Sequence, residues 1–281
     1  MLISENEKVH LQLRDITSKA KIVVMVGLPG TGKSLLVNHL FQFKKKTKQK
    51  PQLIQWDVAR KEYENGELKE AFPFITGQTH PGVRLSAGYW LMSFVKKWHA
   101  KYSKGNENIL LIEAPFVGNR FSELCHQQSD QELEKILSSE DVQFVLAVPS
   151  DEVRKKIEED RAAQISEDAK QWSGAKPSVM YQLWKDTMNI AREFGITDSL
   201  NDEYNAALYS ETYARILQHR NTKILSIDKI LDVQIGEESI LHSLQNEMPN
   251  NDEVKASIAG IKAHYPTDNE MFSAVSNWYQ T

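Results

Sequence analysis

Apolar residues recur along this chain in two rhythms. Five short runs, Ile22–Val26, Leu53–Trp56, Ile109–Ile112, Val142–Val148 and Lys223–Ile227, are largely apolar without alternation. Continuous runs of this length are expected of strands buried on both faces of a parallel sheet. Between them the rhythm changes. Ser86–Tyr102 places Trp90, Phe94 and Trp98 four apart, with Leu91 and Val95 beside them, which makes one core-facing stripe of a helix. Ser34–Phe43, Asp151–Arg161, Val179–Arg192 and Tyr204–His219 also read as helices, as do Glu237–Gln245, Asp252–His264 and Asn269–Tyr279. Strands alternating with helices predict an α/β fold with right-handed crossovers. The expected organisation is an N-terminal helical segment over 1–20, an α/β domain over 21–232 and a C-terminal helical tail over 233–281. The stretch 151–220 is long for a connection, and its turn signal at Ser173-Gly174-Ala175-Lys176-Pro177 marks it as a helical appendage.

In open α/β sheets ligands sit beyond the C-terminal ends of the strands, so the residues after each run carry the candidate chemistry. The first run is followed by Gly27-Leu28-Pro29-Gly30-Thr31-Gly32-Lys33-Ser34, the pattern G-x-x-x-x-G-K-[ST]. Each position has a mechanical role. Gly27, Gly30 and Gly32 let the backbone curl, so that successive N–H groups, including that of Thr31, point at a triphosphate. Lys33 reaches the β- and γ-phosphates, and the Ser34 hydroxyl can ligate Mg²⁺. A strand before the loop and a helix after it place anion-binding N–H groups and the positive helix end at one point.

Other strand ends add weaker signals. Asp57 and Arg60 follow the second run. A carboxylate there can take the proton from an acceptor hydroxyl, with the arginine holding an anionic part of the acceptor; an N-cap with an exposed arginine explains the same residues. Glu113 follows the third run, where an acid can approach Mg²⁺ or its water shell, or turn to the acceptor. Asn119 and Arg120 come next in the loop. After the fourth run Arg154 and Arg161 stand seven apart, on one face of a helix, where they can close over a transferring phosphoryl group. Glu158, Glu159 and Asp160 beside them also suit an ion-paired exposed helix. His80 and Arg84 flank Pro81-Gly82 and read as a loop with the option of acceptor contacts.

Composition narrows the classes. The 281 residues are 41% apolar and 26% charged, with a formal net charge of −4, ordinary for a globular protein and no signature of a nucleic-acid coat. The basic run Lys44–Lys50 complements a helix C-terminus. A single cysteine, Cys125, leaves no intrachain disulfide and points to a reducing compartment. No secretory signal pattern and no run approaching a membrane span is present, so a cytoplasmic protein is expected; a chain exported by a specialised system would look the same.

Together these residues resemble the P-loop kinase group. Gly27–Ser34 followed by Asp57-x-x-Arg60 is similar to polynucleotide 5′-hydroxyl kinases and zeta-toxin-type sugar-nucleotide kinases, and Ile112-Glu113 with Arg120 in the next loop is closer to the zeta type. Val24–Pro29 also resembles the start of the 6-phosphofructo-2-kinase domain, though that family's aspartate-containing motif after the third strand is absent. The resemblance implies a P-loop NTPase three-layer sandwich, in which the five apolar runs would form a five-stranded parallel sheet; the helical appendage and the C-terminal helices lie outside the resemblance. It implies ATP and Mg²⁺ as cofactors and Asp57 as the base; with Lys33 of the loop and Arg161 from the helix after the fourth run, these are the expected catalytic residues. Ser34 and Glu113 would hold the metal, and Arg60, Glu113 and Arg120 the acceptor. The expected activity is phosphoryl transfer to a hydroxyl of a small phosphorylated metabolite, nucleotide or nucleic-acid end. The alternative is a nucleotide-dependent ATPase or switch acting on a protein partner. A GTPase is disfavoured because no Asn-Lys-x-Asp sequence occurs, and Ile112 before Glu113 lacks the Asp-Glu pair of AAA-type motors.

Overall fold

The computed structural model describes residues 3–65, 69–73, 75, 79–167, 175–231 and 244–280, with 164–167 described by backbone alone. Five parallel strands form one sheet in the order β2-β3-β1-β4-β5: β1 (Ile22–Val26), β2 (Lys50–Gln55), β3 (Asn108–Ala114), β4 (Val142–Pro149) and β5 (Thr222–Ile227). Every residue of β1 and β4 is buried. Their alternate side chains feed two separate cores. Ile22, Val24, Val26, Phe144 and Leu146 belong to one, and Val23, Met25, Val145 and Ala147 to the other. That is why the sequence shows unbroken apolar runs there: each strand has no polar face to display.

Helices cover both faces. On one lie α1 (Lys8–Ile16) and α2 (Lys33–Lys46), whose Val9, Leu13, Leu36, Val37 and Leu40 join the second core. On the other lie α5 (Pro81–Tyr102), α6 (Gln131–Leu137), α8 (Pro177–Glu193) and α9 (Ala206–Ile216). Between β2 and α5 run two single turns, α3 (Trp56–Ala59) and α4 (Lys61–Glu64), and α7 (Asp151–Glu167) follows β4. The expected three-layer α/β sandwich is therefore present. The C-terminal helices α10 (Asn251–His264) and α11 (Asp268–Ser276) both pack on α5, and Val254, Ile258, Ile261, Met271 and Val275 extend its core. Each opens with a capping box, Asn250 with Glu253 and Thr267 with Glu270, which satisfies N–H groups that a helix start leaves free.

Several boundaries differ from the sequence expectation. Strand β2 begins at Lys50, three residues before the apolar run, because its first half is an edge exposed to solvent. Trp56 does not extend the strand; it opens α3 while staying buried against Phe121, ring centroids 5.2 Å apart. Helix α5 starts at Pro81, with the His80 side chain accepting from the Gly82 N–H at 3.0 Å. His80 is thus a buried cap. The basic run closes α2: Lys44 is buried and donates to the Thr17 carbonyl at 3.1 Å. The helix expected over Glu237–Gln245 and the turn at Ser173-Gly174 fall largely outside the described residues. Among the described residues no helix is long and apolar enough to cross a membrane.

One buried acid gives the fold a pH dependence. Glu123 presses its carboxyl against Gly88 of α5, where a Cβ would come within 2.0 Å of it. Asn119 donates to one oxygen at 2.8 Å, and the other is buried without a partner. Burial pushes this carboxyl up from 4.5 to about 8. A folded-state value above the unfolded one means that the folded chain binds the extra proton, so stability falls as pH rises between these two values and levels off above about 8. Glu123→Gln keeps the shape and removes the titration. Urea unfolding midpoints across this range should therefore decline less with pH in the variant than in the parent; parallel profiles would show that Glu123 is ionised in the folded chain.

Candidate active site

The loop between β1 and α2 follows the curl that its glycines permit. Gly27, Gly30 and Gly32 have φ values of 141°, 84° and 84°, conformations that L side chains rarely adopt. Space is limiting as well. A Cβ on Gly27 would lie 2.4 Å from the Tyr209 hydroxyl, and one on Gly30 would lie 2.4 Å from Met180 Cε and 2.8 Å from Arg154 Nη1. The loop is braced from α9: the Leu28 N–H donates to Tyr209 Oη at 3.1 Å. Inside the turn the Thr31 hydroxyl and the Lys33 ammonium both donate to the Leu28 carbonyl, at 2.9 and 2.8 Å.

Lys33 is buried, and desolvation pulls its ammonium down to about 8. The charges acting on it define the site. Glu113 and then Asp57 favour its charged form, while Arg154 and Arg161 disfavour it. Of these, Glu113 at the end of β3 also bonds the Ser34 hydroxyl in the first turn of α2, while the others act on Lys33 through their charge.

Glu113 reaches this place by strand parity. Ile109 and Leu111 face the core shared with α2, so Glu113, two residues on, points the same way. One carboxylate oxygen accepts from the Ser34 hydroxyl at 2.6 Å, and the other from Gln55 Nε2 at 2.7 Å. Gln55 stands opposite Glu113 in the β2–β3 register, and its own carbonyl accepts from Asn246 Nδ2 at 3.1 Å. Neither Gln55 nor Asn246 is part of a sequence motif. The polar last position of an otherwise apolar strand was the available signal for the first; none exists for the second.

Asp57 sits in the first turn of α3 and does not cap it, since the N-cap is Gln55. It is exposed, and Arg60 Nε donates to it at 3.3 Å while Arg60 Nη1 reaches Glu64 at 2.5 Å. Arg120 comes from a tight loop after β3 in which Phe116, Asn119 and Phe121 all hold positive φ. The Tyr213 hydroxyl fixes one end through the Phe116 carbonyl at 3.0 Å, and Phe121 fixes the other on Trp56. Burial lowers the Arg120 guanidinium, with Asp57 the main opposing charge.

Of the two candidate arginines on α7, Arg154 touches the loop. Its Nη1 donates to the Pro29 carbonyl at 2.6 Å, its Nε to Glu158 at 2.7 Å, and its plane lies 5.3 Å from the Tyr204 ring centroid. Its Nη2 is buried with no hydrogen-bond partner among the described residues. Arg161 lies two turns along, donating to the Ala175 carbonyl at 3.3 Å and to Met180 Sδ at 2.9 Å.

This donor set fits a triphosphate and a hard cation. A glycine-rich turn ending in a helix N-terminus, a buried ammonium and an orphaned guanidinium N–H all suit phosphate oxygens. A hydroxyl and a carboxylate in contact suit Mg²⁺, which takes one or two protein oxygens and completes its shell with phosphate and water. Among the described residues no group of three or more His, Cys, Asp or Glu could form a metal cage.

No family model matches the chain, and no curated protein matches it. Among solved structures it is similar to a "putative kinase" from Chloroflexus aurantiacus J-10-fl, at 13% identity and a TM-score of 0.39, over 88% of this chain and 98% of that one. Likeness this remote bears on neither site nor activity, which rest on the geometry above.

Lys33→Ala should weaken ATP binding about ten- to a hundredfold, the loss of one charge-assisted contact. A bound polyphosphate would raise the ammonium above its free value of about 8, so the parent's affinity should fall as pH rises past that value and the variant's should not. Calorimetric titration with ATP on both sides of that pH checks both statements; equal affinities for parent and variant would remove Lys33 from the site.

Proposed function

We propose that this chain is an ATP- and Mg²⁺-dependent phosphotransferase acting on a hydroxyl of a small phosphorylated metabolite, nucleotide or nucleic-acid end. The observation that carries this reading is the geometry around the loop: Ser34 bonds Glu113 at 2.6 Å and Arg154 bonds the Pro29 carbonyl at 2.6 Å, with Asp57 and Arg161 also acting on Lys33 through their charge. A triphosphate-binding loop alone needs only its lysine and serine. A carboxylate with no metal-side contact and two guanidiniums around the same point are what group transfer adds.

In this reading the loop amides of Gly27, Gly30, Thr31 and Gly32 and the Lys33 ammonium hold the β- and γ-phosphates. Ser34 and Glu113 would hold Mg²⁺, which when bound offsets charge on the phosphate oxygens. Asp57 takes the proton of the acceptor hydroxyl as its oxygen bonds to the γ-phosphorus and the bond to the β,γ-bridging oxygen breaks, releasing ADP. Arg154 places its orphaned N–H where charge spreads over the transferring group, and Arg161 adds to the same field. Arg60 and Arg120 bracket Asp57 and orient the acceptor, with Glu113 within reach of it. Asp57 has the exposure a base needs to meet an incoming substrate, and Arg60 leaves it when the acceptor arrives. A cavity of about 830 Å³ beside Arg120 favours a small acceptor over a protein partner of an ATPase or switch.

Asp57→Asn separates the two activities. With γ-labelled ATP and a panel of hydroxyl acceptors, transfer should drop by about 10²–10⁴-fold, the usual contribution of a positioned base, while ATP binding persists. Transfer at the parent rate would eliminate Asp57 as the base. Hydrolysis independent of any acceptor and stimulated by a protein would favour the ATPase reading instead.

A further inference from the structure

The cavity beside Arg120 is built from four distant parts of the chain: the start of α5, the loop after β3, one face of α8, and α11 with the residues that follow it. Its charge is divided. At one end lie Arg84 and Arg120. Arg84 is buried, and its donors go only to the carbonyls of Thr79 at 3.0 Å and Gly118 at 3.1 Å. Arg120 meets the Val117 carbonyl at 3.3 Å. Among the described residues neither forms an ion pair; burial lowers both guanidiniums, Arg84 to about 10 with the charge of Arg120 adding to the effect, while Asp57 and Asp186 oppose it at Arg120. A buried guanidinium and a half-buried one on the same cavity, held among the described residues by backbone carbonyls, are costly to keep. Their planar forks match a phosphate.

The facing wall has the opposite character. Gln182, Asp186 and Asn189 fall on one stripe of α8 and line the cavity. They are side chains that exchange hydrogen bonds with hydroxyls, and Gln182 already donates to Asp186 at 2.9 Å. Phe272 and Val275 of α11 add an apolar side. The volume lies within the usual range of small-molecule sites. The acidic Asp186 and Glu193 would repel the successive phosphates of a polynucleotide.

We propose that this cavity is the acceptor site, and that it takes a small phosphate monoester of a polyhydroxyl compound, with its phosphate on Arg84 and Arg120 and its hydroxyls on the α8 stripe. The proposal rests on the transfer reading above and narrows it. Arg120 lines the cavity and feels Asp57 as its main opposing charge, so a hydroxyl distal to the phosphate would extend past Arg120 toward the base. That oxygen bonds to the γ-phosphorus of ATP, its proton passes to Asp57, and ADP departs. The C-terminal helix then has a defined task as one wall of the acceptor site.

The test measures binding without transfer. In the full-length Lys33→Ala chain, free of ATP, the P-loop contributes little to phosphate affinity. Ribose 5-phosphate, glucose 6-phosphate and AMP are titrated alongside ribose, glucose, adenosine and a 5′-hydroxyl oligodeoxynucleotide. At least one phosphorylated probe should bind, its unphosphorylated counterpart about tenfold or more weakly, and which one binds separates a sugar phosphate from a nucleotide. Arg120→Gln should cost that probe about tenfold. Arg84→Gln should do the same, and because Arg84 also ties down Gly118, its urea midpoint is measured in parallel, with Asn189→Ala as the variant that leaves the loop untouched and weakens binding through the hydroxyl wall. The proposal is overturned if no phosphorylated probe outbinds its counterpart, if a bound probe ignores Arg120→Gln and Asn189→Ala alike, or if only the oligonucleotide binds. Asp57-dependent transfer persisting alongside such a failure would leave the transfer reading intact and move its acceptor elsewhere.

Discussion

The parallel pairing of β1 with β3 and of β3 with β2 sets Met25 and Gln55 level with Glu113, and the remaining site geometry follows from that registration. Parallel strands end on one rim, so the loop after each delivers its side chains to the same edge of the sheet. Side-chain direction alternates residue by residue. A slip of one position in β3 would turn Glu113 to the opposite face and bring Ala114 under α2. The hydroxyl of Ser34 would then have no carboxylate to meet, and Gln55 would lose the acceptor that orders its amide. The two separate cores above and below the sheet enforce the register, because Leu110, Ile112 and Leu111 each have a buried place only in the present alignment.

Within that frame the site is an electrostatic compromise around one ammonium. Among the described residues Lys33 is buried without a salt-bridge partner, and its hydrogen bond goes to the Leu28 carbonyl. Two carboxylates and two guanidiniums act on it from outside contact distance. Such a balance is sensitive to the arrival of further negative charge, which the lysine, the helix N-terminus and the Arg154 N–H all favour. A similar arrangement recurs beside the cavity, where Arg84 of α5 and Arg120 of the loop after β3 have, among the described residues, backbone carbonyls as their hydrogen-bond partners. Both places keep positive charge dry and underused, a costly arrangement that buried structural pairs avoid.

The sheet was largely legible in the sequence, because strands buried on both faces cannot hide their apolar runs. Edges were not. Lys50, Pro51 and Gln52 belong to β2 yet show solvent-tolerant residues, and periodicity carries no signal where one side of a strand is wet. The start of α5 was readable in principle, since a proline in the first turn after a capping side chain marks a helix N-terminus; His80-Pro81 instead reads as a loop when only the aromatic stripe is followed. The glycine-rich loop was legible because its pattern, Gly27 to Ser34, is written in consecutive residues. The cavity was not, because Thr79, Arg120, Asp186 and Trp278 share no local pattern and meet only through packing. Arg154 and Arg161 were indistinguishable by spacing; what separates them is that the first turn of α7 lies against Pro29.

The position of α11 along the chain also orders events during synthesis. The P-loop and every strand of the sheet precede it. At about 5–20 residues per second, α11 leaves the ribosome roughly 10–50 s after Ser34. A nascent chain can therefore complete its sheet and donor loop while the far wall of the cavity is still untranslated. Until Phe272 and Val275 dock on α5, the apolar surface that they cover faces solvent, and the newborn protein passes through an interval in which its sheet and glycine-rich loop are assembled and the cavity is not yet closed.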